Sequence, residues 1–171
     1  MIKDKIKELE SMTSYLKDEE KKIIIKAINF SELAHKDQTR KSGDPYIIHP
    51  IEVAKILTSI NLDASAIAAG LLHDTIEDTV ISINEITEIF GSQISELVQG
   101  LTKISKFALK MNKQKLGENY RKLILASSKD LRVILIKLAD RLHNMRTIKF
   151  IKDENKRIDI SIETLEIFSP L

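Results

Sequence analysis

Residues 67–79 of the chain read IAAGLLHDTIEDT. The first six residues are small or apolar and predict a buried helix, which an imidazole and three carboxylates follow at His73, Asp74, Glu77 and Asp78. If the helix continues, His73 faces Glu77 and Asp74 faces Asp78, because residues four apart are neighbours. Nitrogen and oxygen ligands at the end of a buried helix suit a divalent ion. A cap cluster or a solvated acidic turn is the alternative.

Residues 134–147 read ILIKLADRLHNMRT and predict a second buried helix. Asp140 falls inside it, and a carboxylate there is costly unless it is paired or binds a metal. Asn144 lies one turn further along the same face of this helix. The alternative is an exposed ion pair between Asp140 and Arg141.

Residues 35–50 read HKDQTRKSGDPYIIHP and form the third informative segment. His49 follows an apolar run, so we expect its ring to point inward, either as a ligand or as a core histidine with its hydrogen bonds satisfied. Arg40, Lys41 and Ser42 offer guanidinium, ammonium and hydroxyl donors beside a glycine. That combination can hold a phosphate or stack on a base, and a solvated basic loop is the alternative.

Apolar residues recur at helical spacing, and with only 5 glycines and 3 prolines the chain is predicted to be all-α, as a single domain over residues 1–171. Residues 1–18 form an N-terminal helical extension in this prediction. Further helices are predicted over Glu19–His35, from near His49, from Asp63 to about His73, from Ser82, from after Gly91 to near Gly100, and from near Glu118, Asp130 and Asp153. Thr102–Gly117 is lysine-rich and weakly periodic, and we expect a mobile, solvated connection there rather than a phosphate-binding segment.

The composition excludes several classes of protein. Hydrophobic residues make up 43% and charged residues 30% of the chain, and the net charge of +2 provides no global field for nucleic acid or membranes. Cysteine is absent, which excludes disulfides and thiolate metal sites. No segment has the roughly 18 uncharged apolar residues of a membrane-spanning helix, and the charged first residues do not resemble a signal peptide. We therefore expect a soluble, cytoplasmic protein.

The three segments together resemble a known family. His49, the pair His73-Asp74 and Asp140 match the H…HD…D pattern of HD-domain phosphohydrolases. The residues that flank them, in the same order, resemble the hydrolase domain of RelA/SpoT homologues over about residues 20 to 171. The resemblance implies a single HD-type helical bundle of roughly eight or more helices.

The resemblance also implies a reaction and a set of residues. The family removes the 3′-pyrophosphate from guanosine tetra- or pentaphosphate, which yields GDP or GTP and ends the stringent-response signal. One metal ion, usually manganese, would be bound by His49, His73, Asp74 and Asp140. The catalytic acidic pair would be Glu77 and Asp78, either of which can be the base. Nucleotide contacts would come from Arg40, Lys41, Ser42, Asn144 and Thr147.

Two other functions stay open at this stage. One is an HD-type phosphohydrolase acting on another nucleotide, and the Arg40-Lys41-Ser42 loop with residues 144–147 argues against it. The other is a non-catalytic nucleotide sensor or alarmone-binding fragment, which would have no use for Glu77 and Asp78. Zinc or iron also suits the mixed nitrogen and oxygen ligands. Long members of the family continue into a synthetase domain after a segment like Glu163–Leu171. We therefore expect the hydrolase half alone, either as a fragment or as a naturally shortened product. The expected partner is a small-molecule nucleotide.

Overall fold

The computed structural model describes residues 2–110 and 130–171, with side chains for 2–105 and 130–171. The protein is all-α in these ranges, as predicted, and the one pairing of extended residues there is an isolated antiparallel bridge between Thr39 and Pro45. The helices are α1 (Ile2–Met12), α2 (Asp18–Ala34), α3 (Ile48–Ser59), α4 (Ala64–Leu72), α5 (Thr75–Asp78), α6 (Ile83–Phe90), α7 (Ser92–Lys110), α8 (Leu131–Arg146) and α9 (Glu154–Glu163). A 3₁₀ turn follows α8 at Ile148–Phe150, and a π-helical turn follows α9 at Thr164–Phe168. None of the helices described is both long and apolar enough to cross a membrane.

Helix α4 forms the centre of the core. All of its residues except Ser65 are buried, and it packs against α2, α3, α7 and α8. Its small residues allow the neighbouring helices to approach closely. A Cβ atom at Gly70 would lie only 2.5 Å from Cδ1 of Leu57 on α3. The helix therefore carries the residue that follows it, His73, into the interior of the bundle.

Ion pairs of Arg132 join the N-termini of α4 and α8, and two site residues lie at the same distance along the chain from these N-termini. The Asp63 carboxylate caps α4 by accepting a hydrogen bond from the Ala66 amide at 2.8 Å, and Asp130 caps α8 in the same way. Arg132 binds both caps, with Nη1 2.6 Å from Asp63 and Nη2 2.6 Å from Asp130. His73 and Asp140 each follow their cap by ten residues. At 1.5 Å per residue, both lie about 15 Å beyond the joined caps.

Several predicted helix boundaries are confirmed. Ser82 and Glu85 form a reciprocal capping box at the start of α6, and Gly91 separates α6 from α7 with a φ of 83°. Helix α9 begins after Asp153, whose carboxylate accepts a hydrogen bond from the amide of Lys156. Local cap chemistry, which depends on residues three or four apart, was readable from the sequence.

The predicted end of α7 near Gly100 is wrong, and the connection predicted from Thr102 is wrong as far as Lys110, because the helix continues to that residue. Gly100 is held inside the helix by close packing on α8, where an added Cβ atom would lie 3.0 Å from Cγ2 of Val133. The residues that continue the buried stripe of α7 are Leu97, Val98, Leu101 and Ile104. The remainder of the predicted connection, and the helix predicted near Glu118, lie in 111–129, outside the described residues.

Candidate metal centre

The four predicted metal ligands converge. Nε2 of His49, on α3, lies 3.3 Å from Oδ1 of Asp140 on α8 and 3.6 Å from Oδ2 of Asp74. Nε2 of His73 lies 3.0 Å from the same Asp74 oxygen and 3.8 Å from the same Asp140 oxygen. His49, His73 and Asp140 are buried, and their ligand atoms all lie within 4.8 Å of one another. Residues from three parts of the chain therefore form one compact cluster.

A break between α4 and α5 allows His73 and Asp74 to join the same cluster. Helix α4 ends at Leu72, Asp74 has φ −95° and ψ −8°, and α5 begins at Thr75. In an unbroken helix, the side chains of two adjacent residues diverge by about 100°. The helix does not continue, so the condition for pairing His73 with Glu77 is not met. Instead, the Asp74 carboxylate turns towards the His73 ring.

His73 provides the test of whether the cluster suits a metal. Its Nδ1 lies 2.8 Å from the backbone carbonyl oxygen of Gly70, so this nitrogen donates its hydrogen there. Its Nε2 is buried and makes no hydrogen bond of acceptable geometry, although Asp74 and Asp140 face it. A buried nitrogen without a partner, beside two carboxylates, fits a divalent cation bound between them.

The electrostatics of the cluster are those of a cation site. Burial alone raises the pKa of Asp140, but Lys137 and His49 outweigh it and hold the pKa well below the usual range. Burial lowers the pKa of His49, so this ring is neutral. For His73, burial lowers the pKa, but the carboxylates of Asp74 and Asp140 outweigh burial and raise it to about 9. Without an ion, a proton on His73 therefore supplies the positive charge that the cluster needs.

Asp140 is fixed by neighbours on its own helix. Its Oδ1 accepts a hydrogen bond from Nδ2 of Asn144 at 2.6 Å, and its Oδ2 accepts one from Lys137 at 3.0 Å. Arg40 donates in turn to Oδ1 of Asn144 at 2.7 Å. Arg141 binds Glu163 at 2.8 Å, so the alternative of an exposed pair between Asp140 and Arg141 is wrong.

Tyr46 links the cluster to Asp78, one residue of the acidic pair. Its hydroxyl lies 2.7 Å from Oδ2 of Asp74 and 2.9 Å from Oδ2 of Asp78, and its ring stacks on His35 at a centroid distance of 4.5 Å. Glu77 and Asp78 are both exposed at the rim of the site. Desolvation of the carboxyl group raises the pKa of Glu77, although Lys137 and Ser105 act in the opposite direction.

A cavity of about 520 Å³ opens beside the cluster. The five residues predicted to contact nucleotide all line it, namely Arg40, Lys41, Ser42, Asn144 and Thr147, together with the ligands His49 and Asp140. The loop that carries the first three is ordered by backbone hydrogen bonds from Arg40 to Asp44 and from Gly43 to Arg40, both 2.9 Å. Glu77 and Asp78 are not part of the lining. Asp78 is joined to it by the Tyr46 hydroxyl, and Glu77 interacts electrostatically with Lys137, which lines it.

Sequence reasoning missed three residues that support the site. Tyr46 binds Asp74, Lys137 binds Asp140, and His143 approaches His49 with a distance of 2.7 Å between the two Nδ1 atoms. Lys137 could have been found from its place one turn before Asp140 inside a buried helix, where a lysine needs a partner. Tyr46 and His143 carry no such local signal.

Comparisons with known proteins place the chain among HD domains. Residues 27–171 match the sequence profile described as HD domain. The chain is 49% identical over 164 residues to a GTP pyrophosphokinase of Myxococcus xanthus, covering 94% of the chain and 22% of that protein. It is 48% identical over 149 residues to a probable guanosine-3′,5′-bis(diphosphate) 3′-pyrophosphohydrolase of Synechocystis sp., covering 87% and 20%.

A third relative is the bifunctional (p)ppGpp synthase/hydrolase SpoT of Escherichia coli, 46% identical over 158 residues, covering 92% of the chain and 22% of that protein. The chain thus spans about a fifth of the length of these curated relatives. A solved structure described as a metazoan ortholog of SpoT that hydrolyzes ppGpp has the same fold, with a TM-score of 0.68, 24% identity, and coverage of 86% of this chain and 84% of that one.

Proposed function

This chain belongs to the HD domain family, and from that premise we propose that it hydrolyses the 3′-pyrophosphate of guanosine tetra- and pentaphosphate to give GDP or GTP and pyrophosphate. The observation that carries the proposal is the meeting of His49, His73, Asp74 and Asp140 beside a cavity lined by a basic loop. The names of the relatives from Synechocystis and Escherichia coli support the choice of substrate. The cytoplasm, where soluble nucleotides are found, is the proposed location.

The proposed cofactor is one Mn²⁺ ion, for which two imidazole nitrogens and two carboxylates are a suitable set, although zinc and iron fit the same ligands. Such an ion, when bound, polarises a phosphoryl oxygen and lowers the pKa of water. The chain's own contribution is to present these groups without rearrangement. Lys137 and Asn144 hold both oxygens of Asp140, and Gly70 holds the ring of His73.

We propose that the basic loop binds the charged parts of the nucleotide. The Arg40 guanidinium and the Lys41 ammonium offset the charge of the phosphates, and Ser42 and Thr147 contribute hydroxyl groups to the same cavity. Asn144 acts mainly as a bridge, since its amide already joins Arg40 to Asp140. Binding of the nucleotide by Arg40 is thereby coupled mechanically to the carboxylate of a metal ligand.

We propose that Glu77 is the base that accepts the proton of the attacking water. The pKa of Glu77 is raised and therefore lies closer to neutral pH than that of an ordinary glutamate. A base transfers protons most effectively when its pKa is near the pH at which the enzyme works. Asp78 has one oxygen committed to the Tyr46 hydroxyl, which suits it to positioning. The acidic pair is therefore divided between proton transfer and orientation.

The test is incubation of the purified chain with guanosine tetraphosphate and Mn²⁺, with products resolved by ion-exchange chromatography. We expect GDP and pyrophosphate, and no reaction after the metal has been removed with a chelator. GTP should be left intact, because it lacks a 3′-pyrophosphate. Comparable hydrolysis of GTP would instead support an HD phosphohydrolase of another specificity, and binding without turnover would support a non-catalytic sensor.

A further inference from the structure

The two imidazoles of His49 and His143 meet through their Nδ1 atoms, which lie 2.7 Å apart. Both side chains are buried, with 1% of His49 and 8% of His143 exposed, and the ring centroids are 4.9 Å apart. A hydrogen bond at this distance requires a hydrogen on one nitrogen and a lone pair on the other. The pair therefore has two possible arrangements, and the surroundings select between them.

The position of Nε2 of His49 decides which arrangement is suitable for a metal. This nitrogen faces Oδ1 of Asp140 and Oδ2 of Asp74, where an ion would be bound. A nitrogen that binds a metal must present its lone pair, so a neutral His49 carries its hydrogen on Nδ1. That hydrogen points at His143, which must then accept through its own Nδ1.

The geometry allows His143 to accept this hydrogen. Its side chain is buried, and its Nδ1 lies within hydrogen-bond distance of Nδ1 of His49. In the neutral tautomer with its hydrogen on Nε2, Nδ1 of His143 presents a lone pair, whereas a protonated ring has none. The bond therefore requires His143 in this neutral form.

We propose that His143 is a positioning residue for the metal, which holds His49 in the tautomer whose Nε2 lone pair faces Asp74 and Asp140. The other imidazole ligand, His73, is held by the backbone carbonyl of Gly70. His73 therefore depends on a backbone acceptor, whereas His49 depends on a side-chain acceptor that can be changed by mutation. The inference rests on the proposed metal site and does not depend on which nucleotide the chain hydrolyses.

Three substitutions separate this role from simple packing. In His143→Asn the side-chain oxygen occupies the position of Nδ1, whereas in His143→Gln it reaches the position of Nε2. His143→Leu fills space without any acceptor. Loss of an outer partner of a metal-binding histidine typically weakens metal binding by about 10–100-fold. We expect this loss in the glutamine and leucine variants, and an affinity within about threefold of wild type for His143→Asn.

The measurement is calorimetric titration of the metal-free chain with Mn²⁺ in the absence of nucleotide, with circular dichroism as the check on folding. Equal affinities for the asparagine and glutamine variants, or full affinity for His143→Leu, would overturn the proposal. Should His143→Leu fail to fold, the asparagine and glutamine variants, which carry the same amide group, still make the comparison. A wild-type chain that binds Mn²⁺ but leaves guanosine tetraphosphate intact would refute the proposed function and leave this result standing.

A second readout follows the tautomer directly. Long-range ¹H–¹⁵N correlation spectra of the wild-type chain loaded with Zn²⁺, a diamagnetic ion that suits the same ligands, should show the hydrogen of His49 on Nδ1. The same signal should persist in His143→Asn, and His143→Gln should show a mixture of the two tautomers. A His49 hydrogen on Nε2 in wild type would contradict the arrangement inferred from the geometry.

Discussion

The ammonium nitrogen of Lys137 lies 3.0 Å from Oδ2 of Asp140, one turn further along the same helix. The other oxygen, Oδ1, is the one that faces the two histidines. A charged group in a largely enclosed position needs a partner, and each of these two residues supplies one to the other. The carboxylate is therefore ionised and oriented before any ion arrives.

The first prediction concerns Asp140→Asn. This change removes a charged ligand and leaves the shape of the side chain almost unchanged, so metal binding should weaken and most activity should be lost. Metal content measured by plasma emission should fall, while the helical circular dichroism stays near that of wild type. Full metal occupancy together with full activity would contradict a site of four ligands. Asp159→Asn, an acidic residue on α9, is the matched control.

The second prediction separates binding from chemistry at the acidic pair. Glu77→Gln keeps the size of the side chain but removes the base, so turnover should fall by about 10²–10⁴-fold while the affinity for guanosine tetraphosphate persists. Asp78→Asn should have a smaller effect, because the Tyr46 hydroxyl can still bond to its side chain. Glu88→Gln, on the exposed side of α6, should match wild type. If calorimetry shows affinity lost in step with turnover, Glu77 is structural.

The sequence was informative where function depends on short-range chemistry. The caps at Asp63, Ser82 and Asp130 were predictable because each side chain bonds to an amide two or three residues ahead. Asp140 was recognisable as a candidate because a charged residue inside an apolar helix needs an explanation, whereas the complete set of ligands was implied by the resemblance to HD-domain phosphohydrolases. Both kinds of signal lie within one or two helical turns.

Features that depend on distant contacts were not predictable. Helix α7 passes through Gly100 because Val133, 33 residues later, packs against the glycine. The bond between His49 and His143 joins residues 94 apart in the chain. Asp74 and His49, which converge at the cluster, are 25 residues apart in the chain. The spacing of apolar residues within one segment does not indicate which distant residues will contact that segment.

The third prediction is that metal binding releases a proton. Without an ion, His73 has a pKa of about 9 and is mostly protonated at neutral pH. The metal binds only the neutral ring. The apparent affinity of the chain for the metal should therefore increase about tenfold with each unit of rising pH until the pH reaches this pKa, and should stay constant at higher pH. Calorimetry between about pH 6.5 and 8.5, in buffers of different ionisation enthalpy, should report close to one proton released. An affinity independent of pH in this range would contradict the pKa of His73.

The fourth prediction tests the packing of α4 on α3. Gly70→Ala places a methyl group 2.5 Å from the present position of Leu57 Cδ1, which is fully buried. Overpacking should cost about 1–3 kcal/mol, and the better helix propensity of alanine should offset up to about 1 kcal/mol of this. Chemical denaturation should therefore show a lower free energy of unfolding. The loss should shrink in a Leu57→Val background, which lacks Cδ1, and an equal loss in both backgrounds would contradict the contact.

The fifth prediction concerns the basic loop, whose two cations have different surroundings. Lys41 is exposed and lines the cavity, whereas Arg40 lines it and also donates to Asn144, which holds Asp140. Lys41→Ala should therefore raise KM for guanosine tetraphosphate by only about threefold, because solvent screens the attraction between an exposed ammonium group and the phosphates. Lys36→Ala, an exposed cation of the same segment outside the lining, should leave KM unchanged.

Arg40→Ala should have the larger effect, because a charge-assisted hydrogen bond contributes about 1.5–3 kcal/mol, which corresponds to roughly 10–100-fold in KM. Neither cation can bind a metal, so the metal content of both variants should equal that of wild type, and kcat should change less than KM. Steady-state kinetics with guanosine tetraphosphate, together with plasma emission for the metal, make the measurement. A fall in kcat larger than the rise in KM for Arg40→Ala would mean that Arg40 acts in the transition state. Loss of metal from the same variant would mean that its bond to Asn144 is what keeps Asp140 in place.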